Sequence, residues 1–247
     1  MNARALPSRR DEDWRYADIA ALAPLWPVAV ETRHITAQDD TQTLIVTADA
    51  PLQSLHLTLA PGARCDVRVL VADVGYGRVE VRAELGEGAH FELGGAIIGA
   101  SKVRGGAQTL EIVTHVTHAA PNATSNQVIR AVLGSGATGT YLGKVAVARG
   151  ADGTDAGQSV RGMLLDRSAT MNAKPELEIY ADDVKCAHGC AIGELDAGAL
   201  FYMASRGIPP ETAKVLMLQA FLAEAFVGAA DEEALTAAAL VRLGALL

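Results

Sequence analysis

Between Lys185 and Ala191 the chain sets Cys186, His188 and Cys190 at alternate positions, which uses two of its three cysteines and one of its six histidines. Thiolate and imidazole are the side chains that iron and zinc prefer. In an extended segment alternate residues share a face about 6.7 Å apart, so neighbouring members of the trio can lean toward one metal. A structural zinc site takes four ligands, and the remaining cysteine, Cys65, lies more than a hundred residues away. The motif is therefore half a site, of the kind a second chain completes. The plainer alternative is a pair of buried thiols beside a hydrogen-bonded imidazole. Cys190 reads either as a third ligand or as a small hydrophobe, and Gly189 is the point at which a strand would bend and break the shared face.

Other chemistry-bearing residues read as structural. His115 and His118 are three apart and fall on opposite faces of a strand, which makes them poor co-ligands. Asp152-Gly153-Thr154-Asp155-Ala156 offers oxygen ligands without the rest of a calcium loop, so it reads as a turn. Gly94-Gly95 reads as a tight bend in a β-rich run rather than as a phosphate loop. The sequence carries no Walker lysine loop, nucleophile elbow or dinucleotide fingerprint, and no enzymatic activity is expected.

The elements that must position the trio fall into three segments: 1–35, 36–193 and 194–247. In the first, Ser8 precedes acids at Asp11-Glu12-Asp13, and Trp14, Ile19 and Leu22 approach helical spacing, which predicts a short amphipathic helix closed by Pro24 and Pro27. From 36 onward the period is two, in runs such as Leu55-His56-Leu57-Thr58-Leu59 and Val67-Arg68-Val69-Leu70-Val71. Similar turns recur at Leu59-Ala60-Pro61-Gly62-Ala63, Leu85-Gly86-Glu87-Gly88-Ala89 and Leu133-Gly134-Ser135-Gly136-Ala137. They start 26 and then 48 residues apart, which reads as one coil of a solenoid followed by two more. A parallel β-helix and a β-sandwich both fit this pattern. After 194 the period returns to 3.6. Leu195, Ala199, Leu200 and Met203 form one apolar face, a second helix begins at Pro210 and runs through Leu218, Phe221 and Leu222, and a third follows Asp231. These helices can offer surface to a partner, cap the open end of the solenoid, or do both.

Composition narrows the partners. The formal net charge of −8 and an isoelectric point near 5.2 disfavour a phosphate-tracking surface, so no nucleic acid is expected. No apolar run reaches membrane length and no signal-peptide core opens the chain, which predicts a cytoplasmic protein. Three cysteines in 247 residues do not make a disulfide framework. Aromatic residues are only 4% of the chain while glycines number 24, a balance suited to stacked coils of small and β-branched side chains.

Two stretches carry a family resemblance. The string Arg9-Arg10-Asp11-Glu12-Asp13-Trp14-Arg15-Tyr16 is similar to the opening of SufB and SufD proteins. The stretch from Pro175 through Lys185-Cys186-Ala187-His188-Gly189-Cys190 to Ile208 resembles the C-terminal signature of the SufD family of iron–sulfur cluster assembly subunits. Family members commonly have serine where Ala187 stands and alanine where Cys190 stands. Asn122, Asn126 and Arg130 resemble the family's core rung. The resemblance implies a mainly β fold: a right-handed parallel β-helix core with a short N-terminal helix and a C-terminal α-helical domain. It implies a subunit that pairs with SufB through the β-helix and can form a homodimer in isolation, a state the sequence itself leaves open. Its ATPase partner, SufC, would dock through the C-terminal helices, at Leu200, Phe201, Tyr202, Arg206, Leu218, Phe221 and Leu222. His188, with Cys186 and Cys190, would contribute to a transient iron–sulfur cluster shared with SufB, none being held stably by the chain alone. Two alternatives accompany this reading: a SufB-type scaffold, which carries more cluster cysteines than Cys65, Cys186 and Cys190 supply, and a β-helix enzyme acting on carbohydrate, which needs a carboxylate cluster.

Overall fold

A computed structural model describes residues 5–36, 40–100 and 107–247. Among the described residues twelve strands form two sheets that the chain visits alternately. β1 (Val30–Ile35), β3 (Leu52–Leu59), β5 (Tyr76–Leu85), β7 (Gln108–His118), β9 (Ala137–Val147) and β11 (Thr170–Ile179) make one sheet in that order. β2 (Asp40–Ile45), β4 (Arg64–Val71), β6 (His90–Gly99), β8 (Thr124–Leu133), β10 (Thr154–Leu164) and β12 (Val184–Gly193) make the other. Every neighbouring pair is parallel. The result is a parallel β-solenoid with two strands per coil. Parallel pairing keeps equivalent side chains in register, so inward positions stack in columns of small and branched side chains, such as Leu57, Ala83, Val116 and Val145 on one sheet and Val71, Ile97 and Ala131 on the other. Phe91 and Tyr141 are the large aromatic side chains fully buried in this column core, which is why so few aromatics suffice.

The turns explain the repeated wording. Gly62, Gly88, Asn122 and Gly153 all have positive φ, between 59° and 74°, a conformation open to glycine and tolerated by asparagine. Each donates its N–H to a carbonyl of the next turn: Gly62 to Glu87 at 2.8 Å, Gly88 to Pro121 at 3.0 Å, Asn122 to Asp152 at 2.9 Å and Gly153 to Asp183 at 2.7 Å. The turn at Gly136 belongs elsewhere. It joins β8 to β9 on the opposite edge of the solenoid, so the 48-residue interval is not two coils. The stacked turns instead fall 26, 34 and 31 residues apart, and Asn122 hides the third from a search for glycine.

Both flanks are covered. The predicted N-terminal helix is broken into a 3-10 turn at Glu12–Trp14 and a one-turn helix α1 (Ile19–Leu22). Docking on the outer face of the odd-numbered sheet outweighs helical continuity. The Arg78 guanidinium stacks 3.8 Å over Trp14, whose ring meets Trp26 edge-on at 5.5 Å. Asp13 pairs with Arg82 at 2.8 Å and His115 at 3.0 Å, while Glu12 pairs with Lys174.

Three further helices follow β12: α2 (Ala197–Ser205), capped by Asp196, then α3 (Pro210–Ala223) and α4 (Glu232–Gly244). They do not cap the solenoid's end. Leu218, Leu222, Phe226, Leu235 and Leu243 pack against Leu70, Ile98 and Val132, which point outward from β4, β6 and β8. Arg130 and Arg68 pin this layer: Arg130 reaches Glu224 at 2.7 Å, and Arg68 donates to the carbonyls of Ala225 and Val227. Gly94 and Gly95 make no bend. Both lie inside β6, and a Cβ on Gly94 would sit 1.7 Å from the Ala225 carbonyl, so glycine there permits close approach of the helical layer. Asn122 and Asn126 are exposed and Arg130 lies under α3, so they form no core rung; the inward residues are Ala123, Ser125, Gln127 and Ile129. Among the described residues no helix is long and apolar enough to cross a membrane.

Candidate functional site

Cys186, His188 and Cys190 lie on β12, the last strand of its sheet, with one long edge unpaired. Gly189 does not interrupt it: β12 pairs with β10 continuously from Thr154↔Val184 to Met163↔Gly193. The register sets Cys186 beside Ala156, His188 beside Gln158 and Cys190 beside Val160. All three neighbours are buried inward residues, so the trio occupies the inner face of the terminal coil. Among the described residues no further coil covers it. Cys186 is half-buried, and His188 and Cys190 are exposed.

Beneath His188 the core turns polar. Tyr141 Oη meets Thr114 Oγ1, donates to Gln127 Oε1 and accepts from Gln158 Nε2, each at 3.1 Å. Gln127, Gln158 and His188 are successive members of one column, and Gln158 Oε1 has no hydrogen-bond partner. This polar column is legible from the structure alone, since neither glutamine belongs to a motif.

Cys65 occupies the same inward column as Cys186, through Phe91, Ser125 and Ala156. Four strand spacings separate them, about 19 Å, so Cys65 is no co-ligand. Burial pushes its thiol up to about 12. Burial also raises Cys186, offset in part by a backbone hydrogen bond with Ala156, and raises Cys190. Raised thiols are weak nucleophiles at neutral pH, and a metal ion would have to displace the proton to bind either one. Cys186 and Cys190 stand about 13 Å apart along the strand, beyond disulfide reach. Among the described residues no three His, Cys, Asp or Glu side chains stand close enough to hold one ion. The half-site is incomplete within one chain.

The remaining candidates take structural places. His115 faces outward to Asp13, and His118 faces inward to Ser125 Oγ at 2.9 Å, on opposite faces of β7. Asp152–Ala156 is a turn entering β10. A cleft of about 500 Å³ between β4, β6 and the segment after α3 is lined by Arg68, Asp66, His90 and Glu92, but these pair with one another. In the helical layer Leu218 and Leu222 are fully buried and Phe221 packs beneath Arg130, so those three serve the internal core. Leu200 is half-buried, whereas Phe201 is 77% and Tyr202 58% exposed, with Arg206 stacked on Tyr202 at 5.2 Å.

Fold and edge together define a class: a parallel β-solenoid whose last described coil presents cysteine and histidine side chains on an uncovered inner face. The sequence profile described as SUF system FeS cluster assembly, SufBD core domain, matches residues 31–221. The chain belongs to this SufB/SufD family of iron–sulfur cluster assembly proteins. It is similar to the protein ABCI7, chloroplastic, of Arabidopsis thaliana, 41% identical over 118 residues covering 47% of this chain and 25% of that protein. It is similar to the iron-sulfur cluster assembly protein SufD of Escherichia coli, 36% identical over 120 residues, 49% of this chain and 28% of the relative. The SufD of Bacillus subtilis is 32% identical over 118 residues, 48% and 27% of the two chains. The matches thus span about a quarter of each relative's length.

Proposed function

We propose that the chain acts as a SufD-like subunit whose β12 edge pairs with a SufB-type partner and completes a cluster-forming site there. The observation that carries this is the uncovered terminal coil, with Cys186, His188 and Cys190 on its inner face and too few ligands for one chain. An unpaired strand edge recruits another strand by main-chain hydrogen bonds. The cluster is cargo: it forms transiently between the two subunits, and the chain alone holds none stably. The role is assembly in the cytoplasm rather than catalysis. The SufC-type ATPase docks on the exposed side of α2, with Phe201 and Tyr202 as anchors, flanked by Leu200 and Arg206. Aromatic anchors ringed by polar groups are the usual core of such contacts.

The test is reconstitution with SufB-type and SufC-type partners, comparing wild type, His188→Ala and Phe201→Asp. His188→Ala keeps both partners and lowers the rate of cluster formation, read from visible absorbance. Phe201→Asp keeps the SufB-type partner and loses the ATPase in pull-down. Cluster formation by His188→Ala at the wild-type rate removes His188 from the site, and ATPase retention by Phe201→Asp moves the docking surface elsewhere.

A further inference from the structure

We infer that residues 5–29 are a strap that lifts off the outer face of the odd-numbered sheet while the solenoid stays folded, and that a charge latch centred on Asp13 holds it shut. The segment has almost no core of its own. Its helical pieces are three, four and three residues long, too short to persist alone. Between 5 and 29 only Ala17 and Leu22 are buried. The helical layer on the other flank differs: it buries Leu218, Leu222, Phe226, Leu235 and Leu243, enough apolar surface to stay down with the solenoid.

The latch follows from strand register. His56, Arg82, His115 and Lys144 stand side by side on the outer face of β3, β5, β7 and β9, about 4.8 Å from strand to strand. Such a column repels itself unless acids enter it. Glu80 takes Arg82 Nε at 2.6 Å and Glu178 takes Lys144 at 2.7 Å. The strap supplies the rest: Asp13 reaches Arg82 at 2.8 Å and His115 at 3.0 Å, and Glu12 reaches Lys174 on β11. The Asp13 and Arg82 side chains stay 27% and 40% exposed, so salt reaches the latch.

Closing the strap also carries a cost. Beneath Trp14, Arg78 and Glu111 are buried to 2% and 0% exposure. Glu111 Oε2 accepts from Tyr76 Oη at 2.9 Å and from Arg78 Nη1 at 3.1 Å, yet Arg78 Nε and Nη2 and Glu111 Oε1 have no hydrogen-bond partner. Glu80 stands 3.5 Å from Nη2. A buried ion pair with unmet donors and acceptors is costly, and water meets that demand once the strap lifts. The indole stacked on Arg78 and the latch favour the closed state, and dehydration of Arg78 and Glu111 opposes it. A segment balanced in this way opens well before the fold does. The strap thus controls access to Tyr76, Arg78, Glu111 and the basic column.

The test is native-state hydrogen exchange on the full chain, and it needs no partner. The strap amides to follow are those of Trp14, Arg15, Ala17 and Leu22, which donate to Asp11, Glu12, Trp14 and Asp18. In wild type they exchange about 100-fold or more faster than the amides of β5 and β7, and low urea leaves their rates unchanged. Raising sodium chloride from about 0.05 M to about 0.5 M speeds them several-fold. Asp13→Lys and His115→Glu each place like charges across the latch and each speed strap exchange. The double variant sets Lys against Glu and exchanges more slowly than either single variant, a rescue that general destabilisation does not give. Strap amides exchanging at the rate of β5 and β7, rates indifferent to salt, or a double variant no slower than the singles each overturns the inference.

Discussion

His118 gives the solenoid a measurable acid sensitivity. The side chain is fully buried at the end of β7, with Ser125 Oγ 2.9 Å from Nε2 and no carboxylate beside it. Burial pulls its pKa down from 6.5 to about 4, offset only in part by a backbone contact with Ala123. Between these values the unfolded chain binds a proton that the folded chain refuses, so stability falls as the pH falls. A difference of about 2.5 pKa units corresponds to about 3 kcal/mol once the pH reaches 4, and about 2 kcal/mol of that is already lost at pH 5. Urea unfolding of wild type at pH 7.5 and pH 5, compared with His118→Gln, isolates the effect, because carboxylates titrate alike in both proteins. The wild type loses about 2 kcal/mol more than the variant over that interval, whatever the variant's own stability. Equal losses in the two proteins would mean that His118 is solvated or charge-paired in the fold, and the inward placement of its column would be wrong.

The N-terminal segment supplies the opposite titration. Asp13 is held at about 2, chiefly by its hydrogen bond to His115 with further help from Arg82, which contributes about 2 kcal/mol above pH 4 and loses it as the pH falls through 2. Asp13→Asn therefore destabilises in urea at pH 7 and matches wild type near pH 2. Gly94→Ala places a methyl group against the Ala225 carbonyl and the Arg68 guanidinium and costs about 3 kcal/mol, the upper end for overpacking; thermal unfolding reads it. Gly189→Ala, with open space around the added carbon, shifts the same transition little.

How much of this was legible depended on what each residue had to satisfy. The β periodicity survived because columns of Leu, Val and Ile must alternate with outward residues, and the C-terminal helices were readable from Asp196, Pro210 and Gly228. The short N-terminal helix is present but interrupted, because Trp14 and Asp13 answer to Arg78, Arg82 and His115, which lie far along the chain. The coil length was misread because Asn122 holds a conformation that glycine holds elsewhere. At the site, parity placed Cys186, His188 and Cys190 on one face correctly, since a strand needs only alternation for that. Which face, and at which edge, follows from pairing with Ala156, Gln158 and Val160, and no local pattern encodes that pairing.

The open end is the physical link between fold and function. A solenoid grows by adding strands, and its last coil exposes both a ladder of unpaired backbone groups and an uncovered core. Helices could have covered it, yet α3 and α4 bury their apolar faces on the flank formed by β4, β6 and β8. The end therefore leaves Cys186, His188 and Cys190 uncovered, as the proposed shared site requires. The polar column of Thr114, Tyr141, Gln127 and Gln158 behind His188 fits the same logic. A wholly apolar interior would leave the imidazole facing hydrocarbon once a partner closes the end, whereas Gln158 Oε1, unpartnered in the open chain, offers an acceptor that becomes useful when water is expelled. If another chain closes the end as proposed, His188 exchanges solvent for a register neighbour that carries a buried, unpartnered acceptor, which makes a shared site less costly to bury than the bare ligand count suggests.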